Sequence, residues 1–350
     1  MKDTMAALTI TQASCADDYD PNSMPVDKAR AFIHQFLHPI EGTLRVPVRN
    51  ALGSVLAEDL HSPVDVPAHR NSAMDGWAMK ASDVAGDGES TLTEVGVSFA
   101  GRPYNGQVAT GQCVRIMTGG VVPVGSDTVI MQERARADGR SVTFAAGARL
   151  GQNVREAGED LKAGSVALKK GRIIRPAELG LIASLGVGEV PVYRKLRVAF
   201  FSTGDELKSV GTTLGEGEIY DSNRYTLHGM LTRLGCEVMD MGVVRDDPKL
   251  LEEAFAQAGA IADVVITSGG VSVGEADFVK AMLDKLGEVV FWKIAMKPGR
   301  PLAYGKIGGA HFFGLPGNPV SVMVTFYQFV RDALLVLMGT NPVDPIPTFP

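Results

Sequence analysis

The segment ADVVITSGGVSVGEAD, residues 262–277, constrains the fold of this chain more than any other. Its β-branched run, residues 264–267, is typical of a buried parallel strand. The glycines that follow permit a sharp turn and let backbone N–H groups approach a ligand, while Glu275 and Asp277 suit a divalent cation that also contacts phosphate oxygens. The segment predicts a loop for a phosphorylated ligand and a metal. The alternative is a tight strand-to-helix turn with solvated acids.

Composition and charge disfavour several classes of protein. A chain of 350 residues that is 45% hydrophobic and 21% charged is typical of a soluble protein with two or three domains. It has no apolar run of about 20 residues and no basic start followed by an apolar core, so we expect neither membrane insertion nor secretion. The three cysteines, Cys15, Cys113 and Cys236, lack CxxC spacing and indicate a reducing cytoplasm. The net charge of −6 disfavours binding to nucleic acid.

The first 194 residues change character twice. The predicted elements are a helix over 25–39, a strand over 44–48, a helix over 51–60, a strand over 165–171 and a helix over 176–185. Residues 61–155 instead contain short alternating segments separated by Gly, Pro, Asn and Asp, which is typical of a β-rich module. Because the composition after this module resembles the composition before it, we expect the module to be an insertion.

From residue 195 onward, strands and helices alternate regularly. The predicted strands cover 196–203, 236–244, 262–268, 288–296 and 310–316, and the predicted helices cover 224–234, 246–260, 276–286 and 318–338. This alternation predicts an α/β fold with a doubly wound, mostly parallel sheet. The predicted domains are a flexible tail (1–24), a discontinuous mixed α+β linking domain (25–60 and 156–194), a β-rich inserted domain (61–155), an α/β domain (195–340) and a short terminal tail (341–350).

Four loops that follow predicted strands carry unusual residues. They are 202–207 (STGDEL), 245–248 (RDDP), the segment that begins at Ser268, and 315–321 (LPGNPVS). In a parallel sheet all four lie at one edge, where ligands bind. In the last loop Pro316 and Pro319 stiffen the backbone, Gly317 permits a turn, and the following helix presents free N–H groups to an anion. A rigid capped turn is the alternative.

Charged side chains are concentrated around the same loops. Lys293, Lys297 and Arg300 predict a pocket for an oxyanion or a phosphate, with solvated lysines as the alternative. Acids that meet in one cleft need a cation, and oxygen ligands select Mg²⁺ over zinc. The acids of this set are Asp205, Glu206, Asp246, Asp247, Glu275 and Asp277. We expect one member of the pair before Pro248 to cap the next helix.

The β-rich module contains weaker signals. Asp75 lies in NSAMDGWA and Thr118 in RIMTGG, and Asp160 lies just beyond the module in GED. Each motif taken alone is better explained as a turn than as a functional site. The six histidines show no metal-binding spacing, and no nucleophile–base pattern is present.

Taken together, nine segments resemble the molybdopterin molybdenumtransferase family, the molybdenum-insertion enzymes related to the gephyrin E domain. They follow the family order from about residue 61 to about residue 326 and are SPVDVPAHRNSAMDGWAM, GQCVRIMTGG, GQNVREAGEDLKAG, RVAFFSTGDEL, EIYDSNRY, VVRDDP, DVVITSGGVSVGEADF, FWKIAMKPGRPLAYG and FFGLPGNPVS.

The resemblance implies an activity and an assembly. Such enzymes take adenylylated molybdopterin and molybdate, hydrolyse the adenylate with Mg²⁺, and release molybdenum cofactor and AMP. The family is an elongated cytoplasmic homodimer, with molybdopterin adenylyltransferase and acceptor molybdoenzymes as expected partners. It also carries a C-terminal β domain, for which residues 341–350 are too short. A non-catalytic molybdopterin-binding scaffold is one rival interpretation. A molybdopterin adenylyltransferase is another, which the β-rich insertion and the NSAMDG segment disfavour.

The resemblance also implies roles for individual residues. The catalytic acids are Asp75, Asp160, Glu206, Asp246 and Asp277, and of these Glu206, Asp246 and Asp277 hold or position the metal. By the same resemblance Thr118, Lys293, Lys297, Pro316 and Pro319 bind substrate. The loops and cations described above add Ser268, Gly269, Gly270, Ser272, Arg300, Gly317, Asn318 and Ser321 to the predicted substrate-binding residues.

Overall fold

The computed structural model describes residues 23–269 and 285–345, and these form two compact units. The α/β unit contains the described residues up to Glu58, then Lys169–Gly180 and the chain from Gly188 onward. The β-rich unit contains Asp59–Leu168 and Leu181–Val187. The finer division of the chain, with a separate linking domain, stays a prediction.

The described residues contain six α-helices and twenty strands, with short 3₁₀ helices at Val48–Asn50, Ala81–Asp83 and Gln132–Arg134. The helices are α1 (Val26–His34), α2 (Pro176–Ser184), α3 (Ser222–Leu234), α4 (Pro248–Ile261), α5 (Pro319–Thr325) and α6 (Arg331–Leu337), with a π-helical turn at Phe326–Val330. The strands are β1 (Thr43–Pro47), β2 (Leu60–His61), β3 (Asn71–Ser72), β4 (Gly76–Met79), β5 (Ser90–Ser98), β6 (Gln112–Ile116), β7 (Thr128–Met131), β8 (Ala135–Asp138), β9 (Ser141–Phe144), β10 (Val154–Arg155), β11 (Val166–Leu168), β12 (Glu189–Tyr193), β13 (Arg197–Thr203), β14 (Leu207–Lys208), β15 (Ile219–Tyr220), β16 (Glu237–Val244), β17 (Val264–Ser268), β18 (Gly287–Lys293), β19 (Pro301–Ile307) and β20 (Ala310–Leu315).

The central sheet of the α/β unit has the order β16-β13-β17-β20-β19-β18. The first four strands are parallel, and β19 runs antiparallel to both of its neighbours. Successive residues of β13 point to opposite faces of the sheet and pack in two different cores. Phe200 packs on the side of α3, and Phe201 packs against Phe255 of α4. Helices therefore cover both faces, and the predicted doubly wound, mostly parallel sheet is confirmed.

The structure differs from the predicted elements in several places. The predicted helix over 51–60 is wrong: Gly53 has a φ of 78°, and Val55 and Leu56 form isolated bridges to residues of other segments instead. The predicted helix over 25–39 ends at His34. Strand β19 was not predicted, because Gly and Pro punctuate the segment GRPLAYGKI and mask its short alternation. The predicted helix over 276–286 lies largely outside the described residues.

The β-rich unit is built on a six-stranded sheet with the order β7-β4-β6-β5-β9-β8. Trp77, Met79, Cys113 and Phe144 are buried together on one side of it, with the Trp77 and Phe144 rings edge to face. Two of the short alternating segments of this region, CVRIM and SVTF, overlap β6 and β9, so the β-rich character of this part is confirmed.

Two features bear on the predicted cellular context. Cys113 and Cys236 are buried free thiols, and burial raises the pKa of each to about 12; Cys15 lies outside the described residues. Within the described part of the chain, one helix, Pro319–Leu337, is long and apolar enough to cross a bilayer, and 56% of it is buried inside the protein. A core helix of a soluble protein meets the same criterion, so this is weak evidence for a membrane span.

Candidate functional site

The carboxyl ends of the four parallel strands meet at one edge of the sheet. Ser202 is in register with both Val243 and Ser268, and Ser268 is in register with Leu315. The four loops predicted to converge therefore do so, and they enclose a cavity of about 280 Å³. Its lining residues are Thr203, Gly204, Glu206, Leu207, Ile219, Tyr220, Asp221, Ser222, Asn223, Asp246, Ser268, Gly269, Gly317 and Pro319. We call this the strand-end cavity.

The backbone after β13 brings Glu206 into this cavity. Gly204 has a φ of 146°, and a Cβ placed there would lie 2.5 Å from Oε2 of Glu206. The carboxylate therefore folds back over the glycine, and a side chain at this position would require the carboxylate of Glu206 to move. The backbone N–H of Asp246 donates to Oδ1 of Asp205 at 3.4 Å, which links the first two loops.

The two acids before Pro248 have different roles. Oδ1 of Asp247 accepts hydrogen bonds from the backbone N–H groups of Lys249 (2.9 Å) and Leu250 (3.1 Å), so Asp247 caps α4. Asp246 lines the strand-end cavity instead. The expectation that one acid of the pair caps the helix is confirmed.

Two glycines form the wall of the cavity between β17 and β20. Gly269 has a φ of 92°, and a Cβ at this position would lie 2.5 Å from the carbonyl oxygen of Thr203. A Cβ on Gly317 would lie 3.9 Å from the Cα of Gly269. The N–H of Gly269 already donates to the carbonyl of Leu315 at 3.1 Å. A ligand can therefore approach bare backbone here, although that N–H group is bonded within the protein.

The PGNP loop is a capped turn. Oδ1 of Asn318 accepts from the backbone N–H groups of Val320 (3.0 Å) and Ser321 (3.3 Å). The cap therefore satisfies two of the helix N–H groups that were predicted to bind an anion. Gly317 and Pro319 still line the strand-end cavity, so this loop shapes the cavity through its backbone and the proline ring.

The three predicted cations do not share one position. Lys297 and Arg300 line a second cavity of about 600 Å³ in the α/β unit, together with Ser23, Ile294, Ala295, Met296, Pro298 and Gly299. Lys293 ends β18 opposite Pro301. None of the three cations belongs to the described lining of the strand-end cavity.

The loop that carries Lys297 and Arg300 nevertheless packs on helix α5. A Cβ on Gly299 would lie 2.9 Å from Cγ2 of Thr325 and 3.8 Å from the carbonyl oxygen of Ser321. The loop that carries Lys297 and Arg300 therefore contacts α5, the helix that follows the PGNP loop.

Asp221, Ser222 and Asn223 belong to the family-like segment EIYDSNRY but were not among the predicted site residues, and all three line the strand-end cavity. Nδ2 of Asn223 donates to Oγ of Ser268 at 2.8 Å and to the carbonyl of Gly317 at 2.7 Å. Oδ1 of Asp221 accepts from Oγ of Ser202 at 3.1 Å and from the N–H of Arg224 at 3.2 Å. An acid followed by polar residues before a helix signals only an N-cap, and the contact with the strand ends depends on tertiary packing.

In the β-rich unit, Asp75 and Thr118 are held together. Oδ1 of Asp75 accepts from both the backbone N–H and the hydroxyl of Thr118, each at 2.7 Å. These two hydrogen bonds, helped by the charge of Arg115, hold the pKa of Asp75 below its usual value. Ser72 also exchanges backbone hydrogen bonds with Gly119 and Gly120, at 2.8 and 3.0 Å. The NSAMDG and MTGG motifs therefore form one exposed site with an ionised carboxylate.

The third motif of this unit reaches the same strand pair. Nη2 of Arg155 lies 2.6 Å from Oδ2 of Asp160, and its Nε lies 2.5 Å from Oε1 of Glu159. Arg155 is paired with Asn71 across β10 and β3. The guanidinium group of Arg155 thus holds Asp160. Arg155 lies on β10, which pairs with β3, the strand that precedes Asp75.

The donor set of the strand-end cavity can be tested against magnesium. Glu206 and Asp246 supply carboxylate oxygens, and Mg²⁺ is commonly held by one or two carboxylates together with substrate phosphates. Among residues 23–269 and 285–345, no group of three or more His, Cys, Asp or Glu side chains is placed to hold a metal. The other predicted members of the site, Gly270, Ser272, Glu275 and Asp277, lie outside the described residues.

Comparison with known proteins identifies the family. Residues 24–186 match the family described as the MoeA N-terminal region (domain I and II), and residues 199–335 match the probable molybdopterin binding domain. The chain is 47% identical over 329 residues to the molybdopterin molybdenumtransferase of Haemophilus influenzae, covering 93% of this chain and 80% of that protein. The chain belongs to the molybdopterin molybdenumtransferase family.

Two further relatives agree with this assignment. The chain is 38% identical over 296 residues to a protein of the same name from a Nostoc species, covering 83% of this chain and 68% of the relative. The crystal structure of the molybdopterin biosynthesis moeA protein from Pyrococcus horikoshii superimposes with a TM-score of 0.80 at 31% identity, covering 92% of this chain and 81% of that one. The fold of the molybdopterin molybdenumtransferase family is thereby shown along most of the chain.

Proposed function

We propose that this protein is a transferase of molybdenum cofactor biosynthesis. It inserts molybdenum from molybdate into adenylylated molybdopterin, hydrolyses the adenylate, and releases AMP and molybdenum cofactor. The observation that carries the proposal is the strand-end cavity, where two carboxylates and two bare glycine backbones converge in a chain of this family. Phosphate groups need close backbone approach, and a pyrophosphate needs a cation beside it.

Each group of residues has a proposed task in this reaction. Gly269 and Gly317 leave room for the phosphates against the cavity wall. Glu206 and Asp246, with Asp277 as the further predicted ligand, hold or position Mg²⁺, which when bound supplies Lewis-acid polarisation of the scissile phosphate. Lys297 and Arg300, with Lys293, neutralise the molybdate oxyanion. Asp75 and Asp160, held by Thr118 and Arg155, complete the catalytic set.

We further propose the setting in which this reaction occurs. The protein acts in the cytoplasm as a homodimer, receives its substrate from a molybdopterin adenylyltransferase, and passes its product to acceptor molybdoenzymes. The buried free thiols of Cys113 and Cys236 support a reducing compartment.

The test is an AMP-release assay with purified protein, adenylylated molybdopterin, Mg²⁺ and molybdate. Molybdate-dependent release of AMP is the expected result, with parallel reactions that omit molybdate or contain EDTA as controls. Tight binding of the substrate without AMP release would instead identify a scaffold protein. Consumption of ATP with bare molybdopterin would identify an adenylyltransferase.

A further inference from the structure

One carboxamide joins two of the loops around the strand-end cavity. Asn223, in the first turn of α3, is 7% exposed and lines the cavity. Its Nδ2 donates to Ser268, the last residue of β17, and to Gly317, two residues after β20, at 2.8 and 2.7 Å. Because β17 and β20 are adjacent strands, a single side chain ties together the loops that follow both.

Few other hydrogen bonds of the described residues join these two loops to each other. Gly269 and Gly317 have no side chain that could fix their positions by packing. The other described links between the loops are the bond from the N–H of Gly269 to Leu315, at 3.1 Å, and a long bond from Oγ of Ser268 to the carbonyl of Pro316, at 3.4 Å. The Asn223 amide thus supplies the two shortest of these bonds.

The orientation of the Asn223 amide is fixed by its partners. Oδ1 of Asn223 is buried without a hydrogen-bond partner in the described part of the chain. Leaving a buried carbonyl oxygen unpaired destabilises the folded state. The opposite orientation would set this oxygen against the carbonyl of Gly317, which can only accept. The arrangement therefore keeps both N–H donors on the two loops and leaves the acceptor unpaired.

The start of α3 is itself anchored to a third strand. The carboxylate of Asp221 accepts from Ser202 near the end of β13, at 3.1 Å. It also accepts from the N–H of Arg224 and so caps the helix. The start of the helix is thus hydrogen-bonded to residues at the ends of β13 and β17 and just after β20, three neighbouring strands, and these bonds place Asn223 between the two loops.

We propose that Asn223 is a positioning residue that sets the separation of the Gly269 and Gly317 walls, and through it the placement of the phosphorylated substrate. The proposal deepens the function proposed above and rests on it for the identity of the substrate. Asn223 acts through Ser268 and Gly317, without contacting the reacting atoms.

Two variants and a matched control test this role. Asn223→Ala removes the amide, and Asn223→Asp keeps its size but sets an oxygen against the carbonyl of Gly317. The control is Thr226→Ala, one turn further along α3, whose hydroxyl donates to Ser222 within the helix at 3.1 Å. Misplacement by about 1 Å can cost roughly 100-fold in rate, so we expect both Asn223 variants to lose about 10- to 100-fold in kcat/KM for AMP release, mainly through KM. The control should remain within about twofold of wild type.

Hydrogen exchange supplies a readout that does not depend on activity. Peptides covering 264–269 and 315–325 should exchange about tenfold faster in Asn223→Ala than in wild type, and at the wild-type rate in Thr226→Ala. A lower melting temperature with unchanged exchange in these peptides and unchanged kcat/KM per folded molecule would show a merely structural role and overturn the proposal. If wild type itself releases no AMP, the proposed reaction is wrong, and the exchange rates still decide whether Asn223 fixes the two loops.

Discussion

In the α/β unit, Glu206 and Asp246 follow different parallel strands and line one cavity, whereas in the β-rich unit Asp75 and Asp160 are each held by a partner at an exposed turn. The first arrangement follows from topology, because parallel strands deliver their carboxyl ends to one edge. The second follows from local contacts, which fix one carboxylate at a time.

This difference predicts how each site responds to mutation. In the α/β unit an isosteric change to one acid should leave the cavity intact and remove only its charge. In the β-rich unit the partner of an acid should matter as well, since Thr118 determines both the position and the ionisation of Asp75.

The largest expected effect is that of Glu206→Gln. The amide fills the same space over Gly204 but loses the negative charge, so we expect AMP release to fall roughly 100-fold or more while substrate binding is retained. The measurements are AMP release and equilibrium binding of adenylylated molybdopterin. Glu216→Gln, at an exposed position of the same connection, is the control. An unchanged rate in Glu206→Gln would remove this residue from the mechanism.

The next effect concerns the opposite edge of the same sheet. Burial disfavours the charged form of Asp263, but hydrogen bonds from Arg194 and Arg197 outweigh it and lower the pKa of Asp263 to about 2. Arg194 and Asp263 approach to 2.7 Å. Asp263→Asn should lower the free energy of unfolding by about 2 kcal/mol at neutral pH, after allowance for partial exposure. AMP release per folded molecule should not change.

The pH dependence of this ion pair has a definite sign. Because the folded-state pKa is depressed from 3.8 to about 2, the contribution of Asp263 is complete above about pH 4 and is lost as the pH falls towards 2. Urea unfolding of wild type and Asp263→Asn should therefore converge at acid pH. Asp27→Asn breaks an exposed pair with Arg30 and should cost no more than about 0.5 kcal/mol. Equal losses in the two variants would contradict the structural role assigned to Asp263.

A smaller effect is expected in the β-rich unit from Thr118→Val. This variant removes the hydroxyl donor but keeps the backbone N–H, so AMP release should fall about tenfold. The pKa of Asp75 should rise towards its usual value, and the acid limb of the pH–rate profile should move to higher pH. Thr118→Ser, which keeps the hydroxyl, should behave like wild type. If Thr118→Ser loses as much activity as Thr118→Val, the hydroxyl is not the group that matters.

The smallest effect concerns helix α3, which carries Asn223. Gly235 ends this helix with a φ of 85°, so Gly235→Ala should cost about 1 kcal/mol of stability. Gly229 lies in the same helix with nothing within 4 Å of its Cβ position, and Gly229→Ala should stabilise the protein by about 0.5–1 kcal/mol. Thermal unfolding measures both. A change in AMP release per folded molecule would show that the cavity responds to the stability of the whole helix.

The strand-end cavity could be predicted from the sequence because its position depends on the topology of the sheet. The apolar runs before Ser202, Val243, Ser268 and Leu315 mark strands, and parallel pairing then requires their loops to meet. The choice between an anion site and a capped turn at PGNP could not be made from sequence, since it depends on the side-chain orientation of Asn318.

Other features required the folded chain. Asn223 belongs to the cavity only because α3 packs across the strand ends, and no local pattern encodes that contact. Helix propensity in ALGSVLAEDL was overridden by pairing of Val55 and Leu56 with distant segments. Lys293 and Lys297 are four residues apart, but Lys293 ends β18, whereas Lys297 lies beyond the strand and lines a separate cavity.

The close approach of the Glu206 carboxylate to Gly204 predicts the outcome of a genetic screen. Any larger residue at this position would push against both carboxylate oxygens of Glu206, at 2.5 and 2.8 Å from its first carbon. A screen for strains deficient in the cofactor should therefore recover inactivating alleles at a codon that encodes no functional group. Those alleles should displace the acid from where the substrate needs it, and the strain of any other residue at a φ of 146° should also lower the stability of the protein.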